Sequence, residues 1–321
     1  MKIAIITPAG ARSRAGNRHT AARWAAFLRA LGHTVAVETQ WGGAPVDLLI
    51  ALHARRSHES AARFRATCPG RPLIVVLTGT DLYRDIRSDA EAQHSLRIAD
   101  RLVVLQDMGR LELPPALRPK TRIIYQSARV PLLSSPPHRV FRTVVLGHLR
   151  AEKDPFRAAL ALQFLTDLPR IEVVQIGEAL APEMEREARR LMHIEPRYRW
   201  LGGLPHWRAL RWLARAHVLI LSSRMEGGAN AIAEAACAGV PVIASRVPGN
   251  IGMLGRAYPG YFPLEDERRL AQLLRRAATE HAYYGRLQAG IAARRHLFQP
   301  KSERDGLGRL IAEFHRAKRQ A

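Results

Sequence analysis

The chain has 321 residues, of which 47% are hydrophobic and 24% charged, values typical of a globular protein with roughly two domains. Fifty Lys and Arg against twenty-eight Asp and Glu give a formal net charge of +22. The arginines are scattered along helical segments, with no basic tail or long basic run, so we expect no nucleic-acid partner. A preference for small anionic substrates fits this charge.

The two cysteines and the N-terminal segment indicate the kind of compartment. Cys68 and Cys237 are too few and too far apart for a disulfide framework or a metal cluster. The segment MKIAIITPAG enters a strand pattern directly, without a signal-peptide pattern. No stretch offers the roughly eighteen apolar residues of a membrane span. These features predict a cytoplasmic protein with no membrane contact beyond a weak peripheral one.

Short apolar runs alternate with helical windows through the first part of the chain. One such window, residues 17–31, carries apolar residues at helical spacing. The alternation predicts a parallel sheet with helices on both faces. The runs predicted as strands are residues 2–7, 34–39, 47–53, 72–78, 101–106 and 122–127.

A proline-rich segment, residues 129–142, interrupts this alternation and is predicted to be a linker. The alternation resumes in TVVLGHL, IEVVQIG, RWLGGL, VLILSS and VPVIAS. We therefore predict an α/β protein of two doubly wound Rossmann-like domains, residues 1–128 and 143–321, the second ending in helices with solvated outer faces. A ligand is expected at the carboxyl ends of the strands, in a cleft between the domains.

The stretch MEGGANAIAEA places Glu226 and Glu234 around a strand-to-helix turn. Glycines there let backbone N–H groups approach a ligand, and the start of a helix favours an anion such as a diphosphate. The two carboxylates are suited to accept hydrogen bonds from the vicinal hydroxyls of a sugar or a ribose. The alternative is that Glu226 caps a helix and Glu234 forms a surface ion pair with an arginine.

The longer unit SSRMEGGANAIAEAACAGVPVIAS resembles the signature of nucleotide-sugar glycosyltransferases with the GT-B fold, in particular the large retaining family four. That signature has two glutamates separated by seven residues, a small-residue helix and a Gly-Val-Pro-Val strand. The resemblance implies that Glu234 holds the ribose hydroxyls and that Glu226 contacts the donor sugar. It also implies that donor-binding amides come from Gly227, Gly228, Ala229 and Asn230.

A second match is LGHLRAEKDP, which resembles the start of the family's second domain. It implies that Lys153 binds the diphosphate as a catalytic cation. The position of the family's arginine holds His148, so that either Arg150 supplies the second cation or His148 donates a hydrogen bond itself. Gly202, in RWLGGL, is assigned to the donor site as well.

The first domain is expected to bind the acceptor. Its loop at residues 8–24 corresponds to the family's glycine-rich first loop, and its strand ends read LHARRS, LTGTDLYRD and YQSA. Arginines suit an oxyanion because they bind it bidentately, although a solvated helix entry also accounts for the pair after LHA. The residues assigned to the acceptor are Gly16, Asn17, Arg18, Thr20, Arg55, Arg56, Thr78, Gly79, Thr80 and Asp81.

Taken together, these first-domain motifs are similar to those of the selenosugar synthases of selenoneine biosynthesis. The resemblance implies a UDP-sugar donor, typically UDP-N-acetylglucosamine, a selenophosphate acceptor, a new carbon–selenium bond, and release of UDP and phosphate. Selenophosphate is already an anionic nucleophile and needs no general base. Cleavage of the Se–P bond needs a water and a proton donor. His19, His53 and His148 are candidates for this step, and the sequence does not rank them.

The resemblance implies no metal and no cofactor beyond the UDP-sugar as co-substrate, and no Asp-x-Asp motif is present. Two other readings remain open. One is a conventional retaining glycosyltransferase that acts on a sugar or lipid hydroxyl in surface polysaccharide assembly. The other is a non-catalytic protein that binds a nucleotide-sugar or a nucleic acid.

Overall fold

The chain forms two compact units, each built on its own parallel sheet. The computed structural model describes residues 1–8, 10, 16–130 and 135–320, with side chains up to Phe314. The first unit comprises Met1–Gln126 together with Pro300–Ala321, and the second comprises Ser127–Gln299. Each sheet has six strands.

The first sheet has the strand order β2-β1-β3-β4-β5-β6, and all its pairs are parallel. Its central strands are continuous apolar runs that are buried along their whole length, as expected when helices cover both faces. The strands are β1 (Lys2–Ile6), β2 (Thr34–Glu38), β3 (Leu48–Leu52), β4 (Leu73–Leu77), β5 (Arg101–Val104) and β6 (Thr121–Ile123).

Between these strands the described residues form four helices of the first unit. A π-helical turn, Asp81–Asp85, comes directly after β4. Apolar residues of the helices after β3 and β4 join one core cluster, and those of the first helix join a second cluster with the other set of strand side chains. The helices are α1 (Gly16–Ala30), α2 (His58–Thr67), α3 (Ile86–Ser88) and α4 (Ala90–Ile98).

The second sheet has the order β12-β11-β10-β7-β8-β9 and is also parallel throughout. Its strand order reverses between β7 and β10, which are hydrogen-bonded neighbours. Open α/β sheets bind ligands at such a switch point, beyond the carboxyl ends of the strands. The strands are β7 (Phe141–Leu146), β8 (Ile171–Ile176), β9 (Tyr198–Trp200), β10 (Val218–Leu221), β11 (Val242–Ser245) and β12 (Tyr261–Phe262).

Seven helices lie in the described part of the second unit, and a short 3₁₀ turn, Ala151–Lys153, follows β7. The last helix of the chain, α12 (Pro300–Gln320), belongs to the first unit. The helices of the second unit are α5 (Arg157–Ala161), α6 (Pro182–Ile194), α7 (His206–Ala214), α8 (Asn230–Ala238), α9 (Pro248–Leu254), α10 (Glu267–Thr279) and α11 (His281–Arg294).

Helix α12 joins the core of the first unit through Leu307, Leu310 and Ile311, which are buried beside Trp24 of α1. Its buried carboxylate, Glu303, accepts hydrogen bonds from Arg23 Nε and Trp24 Nε1, both at 2.7 Å. The sequence analysis placed this segment at the end of the second domain. Its apolar stripe is visible in the sequence, but the pattern does not identify the helix that covers it.

The predicted fold class is confirmed: two parallel sheets with helices, in the arrangement of the GT-B fold. Strand β6 is shorter than the predicted residues 122–127, because it is an edge strand that pairs only with β5 along Thr121–Ile123. The short edge strand β12 was not predicted. The predicted linker, residues 129–142, overlaps residues 131–134, which lie outside the described part of the chain, and its last two residues open β7.

Candidate functional site

The turns that follow β7 and β10 are hydrogen-bonded to one another. Ser222 Oγ, just after β10, donates to the carbonyl oxygens of Asp154 at 2.7 Å and of Lys153 at 3.1 Å. The N–H of Arg224 donates to the carbonyl oxygen of Glu152 at 2.9 Å. These bonds hold Lys153 at the end of β10, where the sequence analysis expected the donor.

Lys153 and Glu226 form an ion pair at this switch point. Lys153 Nζ donates to Glu226 Oε1, and Ser223 Oγ donates to the same oxygen at 2.6 Å. The Glu226 side chain is 8% exposed and that of Lys153 24%. Because an ammonium has three N–H donors, this bond leaves Lys153 able to bind an anion as well. The structure therefore brings together the two residues predicted to act on the donor.

The backbone of Glu226 is fixed by close packing against the start of α9. A Cβ atom added to Gly249 would lie 1.7 Å from the carbonyl oxygen of Glu226, so only glycine fits there without moving the site. Buried Asn250 donates to the carbonyl oxygen of Ser245 at 3.0 Å, and Ser245 Oγ donates to that of Ser223 at 2.5 Å. Sequence reasoning missed this support, although a Pro-Gly pair at a helix start was a visible signal.

Helix α8 begins beside this pair without a side-chain cap. Its N-cap residue, Ala229, offers no acceptor, so the first N–H groups of the helix are not satisfied by a capping side chain. Gly227 is buried, and Gly228 and Asn230 are half-buried. Together with the helix dipole this turn is suited to a diphosphate, as the sequence analysis proposed.

Glu234 lies one turn inside α8, and its side chain is 13% exposed. Its Oε1 lies 2.8 Å from Nε2 of His206, the first residue of α7. The partner of this carboxylate is thus a histidine and not one of the many arginines. Sequence reasoning did not single out His206.

His148 and Gly202 belong to the turns after β7 and β9. The N–H of Glu178 donates to His148 Nδ1 at 3.2 Å, so the proton of a neutral ring is on Nε2. Gly202 has a left-handed backbone with φ of 66°, and its carbonyl oxygen accepts from the N–H of Gly177 at 2.9 Å. Arg150 is exposed and precedes the turn that carries Lys153. Gly202 therefore shapes the turn by its backbone.

In the first unit, Asp81 connects the turns after β3 and β4. It is fully buried, its Oδ1 accepts from the N–H groups of Thr78 at 2.9 Å and Gly79 at 2.8 Å, and its Oδ2 accepts from that of Ala54 at 2.9 Å. A carboxylate used in this way holds the backbone. Asp81 therefore clamps the two turns, and its predicted contact with an acceptor stays a prediction.

His53 stands in the first of these turns, with a left-handed backbone (φ of 76°) and 2% exposure. Its Nδ1 accepts from the N–H of Arg56 at 3.2 Å, and its Nε2 lies 3.1 Å from Thr80 Oγ1. Burial lowers the pKa of His53, and the nearby carboxylate of Asp81 only partly opposes this. The imidazole is therefore neutral at pH 7, with Nε2–H toward Thr80.

The remaining first-unit candidates differ in their burial and in their hydrogen-bond partners. Thr20 is buried, donates to the carbonyl oxygen of Gly16 at 3.0 Å and accepts from Gln126 Nε2, so it fixes the start of α1. Its predicted contact with an acceptor stays a prediction. The Nε atom of Arg55 lies 3.2 Å from an oxygen of Asp89. Asn17 and Arg18 are half-buried at the start of α1, and Thr78 and Thr80 are half-buried after β4.

Two broader observations concern metals and membranes. Among the described residues, no group of three or more His, Cys, Asp and Glu side chains is arranged to hold a metal ion. Within the same part of the chain, no helix combines the length and apolar character needed to cross a membrane.

Comparison with known proteins gives one family match, over the segment that contains this site. Residues 135–288 match the family described as Glycosyl transferases group 1. No curated protein matches the chain in sequence.

Solved structures resemble the whole chain. A sucrose-phosphate synthase from Thermosynechococcus elongatus superposes with a TM-score of 0.80 at 17% identity, over 98% of this chain and 99% of that one. Anabaena Alr3699/HepE in complex with UDP-glucose gives a TM-score of 0.77 at 14% identity, over 98% and 100% of the two chains. An α,α-trehalose-phosphate synthase (UDP-forming) from Burkholderia vietnamiensis gives 0.67 at 12% identity, over 83% and 74%.

These neighbours share the fold, and the family match covers the candidate donor site. Residues 135–288 include the ion pair of Lys153 with Glu226, the uncapped start of α8 and the contact of His206 with Glu234. The segment of residues 135–288 thus matches a family of glycosyltransferases, group 1, and the two parallel sheets give the chain the GT-B fold.

Proposed function

We propose that this protein is a cytoplasmic enzyme that transfers a glycosyl group from a UDP-sugar, UDP-N-acetylglucosamine above all, to selenophosphate. The observation that carries the donor half is the ion pair of Lys153 with Glu226 beside the uncapped start of α8, inside the matched segment. The names of Alr3699/HepE complexes mention UDP and UDP-glucose, which supports a uridine nucleotide here. The acceptor half depends on the first-unit motifs.

Lys153 has the central role in the departure of UDP. One of its N–H donors is used by Glu226, and the others are available to the diphosphate oxygens. Negative charge on the leaving group grows as the bond between the anomeric carbon and oxygen breaks, so Lys153 stabilises the transition state more than the bound donor. The N–H groups at the start of α8 act in the same way.

Three other side chains orient the donor. Glu226 contacts the sugar, and Glu234 accepts hydrogen bonds from the ribose hydroxyls. His148, whose Nδ1 is occupied by the N–H of Glu178, donates from Nε2 to the donor where the family has an arginine. A single imidazole N–H offers fewer hydrogen bonds than a guanidinium, so Lys153 carries a larger share of the stabilisation.

The anionic acceptor is bound by arginines of the first unit. Arg18 and Arg56 follow β1 and β3, which are neighbouring parallel strands, so both emerge at the same edge of the sheet. Among the described residues, neither guanidinium has a carboxylate within salt-bridge distance, whereas Arg55 is engaged with Asp85 and Asp89. Unpaired guanidinium groups bind phosphate-like oxygens bidentately.

The reaction proceeds in two steps. In the first, a selenium lone pair attacks the anomeric carbon, the bond from that carbon to the diphosphate oxygen breaks, and UDP leaves with the electron pair. In the second, a water oxygen attacks phosphorus, the Se–P bond breaks, phosphate leaves, and the selenium keeps the electron pair as a sugar selenolate. Selenium needs no base in the first step because it is already anionic.

This proposal includes metal independence. Lys153 and the start of α8 supply the positive charge at the diphosphate, so EDTA should leave the rate unchanged. Loss of activity on chelation, restored by Mg²⁺ or Mn²⁺, would contradict this part of the proposal.

The test is anaerobic incubation of the protein with UDP-N-acetylglucosamine, with selenophosphate or with inorganic phosphate as the control. We expect UDP and phosphate in equal amounts only with selenophosphate, and a product whose mass carries the selenium isotope pattern. UDP release only with sugar or lipid hydroxyls would replace the acceptor half by a conventional transferase of surface polysaccharide assembly. Binding of the donor without turnover of any acceptor would favour a non-catalytic role.

A further inference from the structure

The contact between His206 and Glu234 joins two helices of the second unit. His206 Nε2 lies 2.8 Å from Glu234 Oε1. The histidine side chain is 55% exposed, and that of the glutamate is 13% exposed. Among the described residues, no donor reaches the other carboxylate oxygen, Oε2. Glu234 is thus held by one oxygen and keeps the second for another donor.

The partner of Glu234 is a histidine, although the chain has fifty Lys and Arg. An arginine would donate two parallel N–H groups and occupy both carboxylate oxygens. An imidazole donates a single N–H from Nε2, so it fixes the carboxylate and leaves Oε2 available. Arg208 and Arg211, in the same helix, lie over the Trp207 ring instead, at 5.2 and 5.7 Å from its centroid.

The position of His206 is set by the first turn of α7. Pro205 caps this helix, and its carbonyl oxygen accepts from the N–H groups of Arg208 at 2.8 Å and Ala209 at 3.1 Å. Leu210 and Leu213 anchor the other side of the helix in the core. A regular, anchored turn presents the imidazole in one place, which is the requirement for orienting a neighbouring group.

We infer that His206 is a positioning residue that fixes the Glu234 carboxylate for the two ribose hydroxyls of the donor, an inference that rests on the proposed use of a uridine diphosphate sugar. His206 acts through Glu234 and does not touch the ribose. Its removal should therefore weaken recognition of the hydroxyls while the rest of the nucleotide binds as before.

The experiment measures the Kd of UDP and of 2′,3′-dideoxy-UDP by titration calorimetry. The proteins are the unmodified chain, His206→Ala, His206→Gln and the control His193→Ala, an exposed histidine at the end of α6. We expect the unmodified chain to prefer UDP by about tenfold or more, since hydrogen bonds to a carboxylate are lost with the analogue. His206→Ala should raise the Kd of UDP about fivefold and leave the Kd of dideoxy-UDP unchanged.

Three further readouts separate positioning from a general structural effect. His206→Gln should recover part of the preference for UDP, because its amide N–H can donate to Glu234. In turnover assays, His206→Ala should raise the donor KM with kcat nearly unchanged. His193→Ala should match the unmodified chain in every measurement, and thermal unfolding should show that all variants fold.

Failure of the positioning role of His206 and failure of the ribose assignment of Glu234 give different results. If His206→Ala keeps the full preference for UDP over dideoxy-UDP, the positioning role is wrong while the ribose assignment of Glu234 stands. If the unmodified chain binds both nucleotides equally, the ribose assignment fails, and the role of His206 fails with it.

Discussion

Two carboxylates that follow buried strands, Glu226 in the second unit and Asp81 in the first, have opposite uses. Glu226 accepts from the side chains of Lys153 and Ser223, directly before the glycine pair at the start of α8. Asp81 accepts from three backbone N–H groups and is fully buried. A carboxylate paired with a long cationic side chain can exchange that partner for a substrate, whereas one that holds the backbone cannot.

The same contrast extends to the cations. In the second unit the critical lysine is paired within the site, and in the first unit Arg18 and Arg56 have no carboxylate partner among the described residues. The donor edge is thus assembled before any ligand arrives, and the first-unit edge carries uncompensated positive charge. Each prediction below tests one side of this contrast.

The largest effect is expected for Lys153→Ala. Loss of the charge that stabilises departing UDP should lower kcat about 100- to 1,000-fold, with a smaller change in donor KM. Steady-state kinetics of UDP release measure both. Lys301→Ala, an exposed lysine of α12, is the control and should be unchanged. A variant that lost donor affinity alone would make Lys153 a simple binding residue.

Asp81→Ala tests the clamp in the first unit. It leaves the N–H groups of Ala54, Thr78 and Gly79 without their acceptor, and we expect the free energy of unfolding to fall by about 3 kcal/mol. Urea denaturation gives this value, and Glu59→Ala, an exposed carboxylate of α2, should change it by less than about 0.5 kcal/mol. Unchanged stability with a raised acceptor KM would contradict the clamp and support the predicted contact of Asp81 with the acceptor.

Gly249→Ala tests the packing that fixes Glu226. The new methyl group meets the Glu226 carbonyl oxygen, so the site must shift, and stability should fall by about 1 to 3 kcal/mol together with kcat. Gly285→Ala in α11 has open space around its Cβ, and it should raise stability by about 0.5 to 1 kcal/mol with unchanged kinetics. Equal stability and equal kinetics of Gly249→Ala and Gly285→Ala would contradict the role of close packing at Gly249.

Arg56→Ala tests the uncompensated charge of the first unit. We expect the KM for selenophosphate to rise about tenfold, as for loss of one charged hydrogen bond, with the donor KM unchanged. The control is Arg71→Ala, since Arg71 precedes β4, lies at the opposite edge of the sheet and pairs with Asp47. The same KM for selenophosphate in Arg56→Ala and Arg71→Ala would show that Arg56 is a solvated surface residue.

The smallest effect concerns pH. Burial lowers the pKa of His53 in the folded chain below its ordinary value of 6.5, so the unfolded chain binds more protons in the interval below that value. Stability contributed by His53 is therefore complete above pH 6.5 and declines as pH falls toward the lowered pKa. His53→Asn, which tolerates the left-handed backbone, should flatten this decline in denaturation curves between pH 7.5 and 5.5. An equally steep decline in the variant would assign it to other groups.

The sequence predicted the fold well because parallel strands buried on both faces are continuous apolar runs, as in β3 and β4. It assigned Lys153 and Glu226 to the same donor because both belong to segments that resemble the family's signature, and the structure pairs them. It did not predict Gly249 or His206, whose importance depends on distances between segments far apart in the chain. It also could not separate Asp81 from Glu226, since the donors that a carboxylate meets depend on the folded turn.

The return of α12 to the first unit has a consequence for biosynthesis. Leu307, Leu310 and Ile311 complete a core whose other members, such as Trp24 and Ile3, are translated near the beginning of the chain. Ribosomes add about 5 to 20 residues per second, so the early segment waits many seconds for its missing helix while all of the second unit is synthesised. During that interval the early segment exposes the apolar surface that α12 covers in the folded chain.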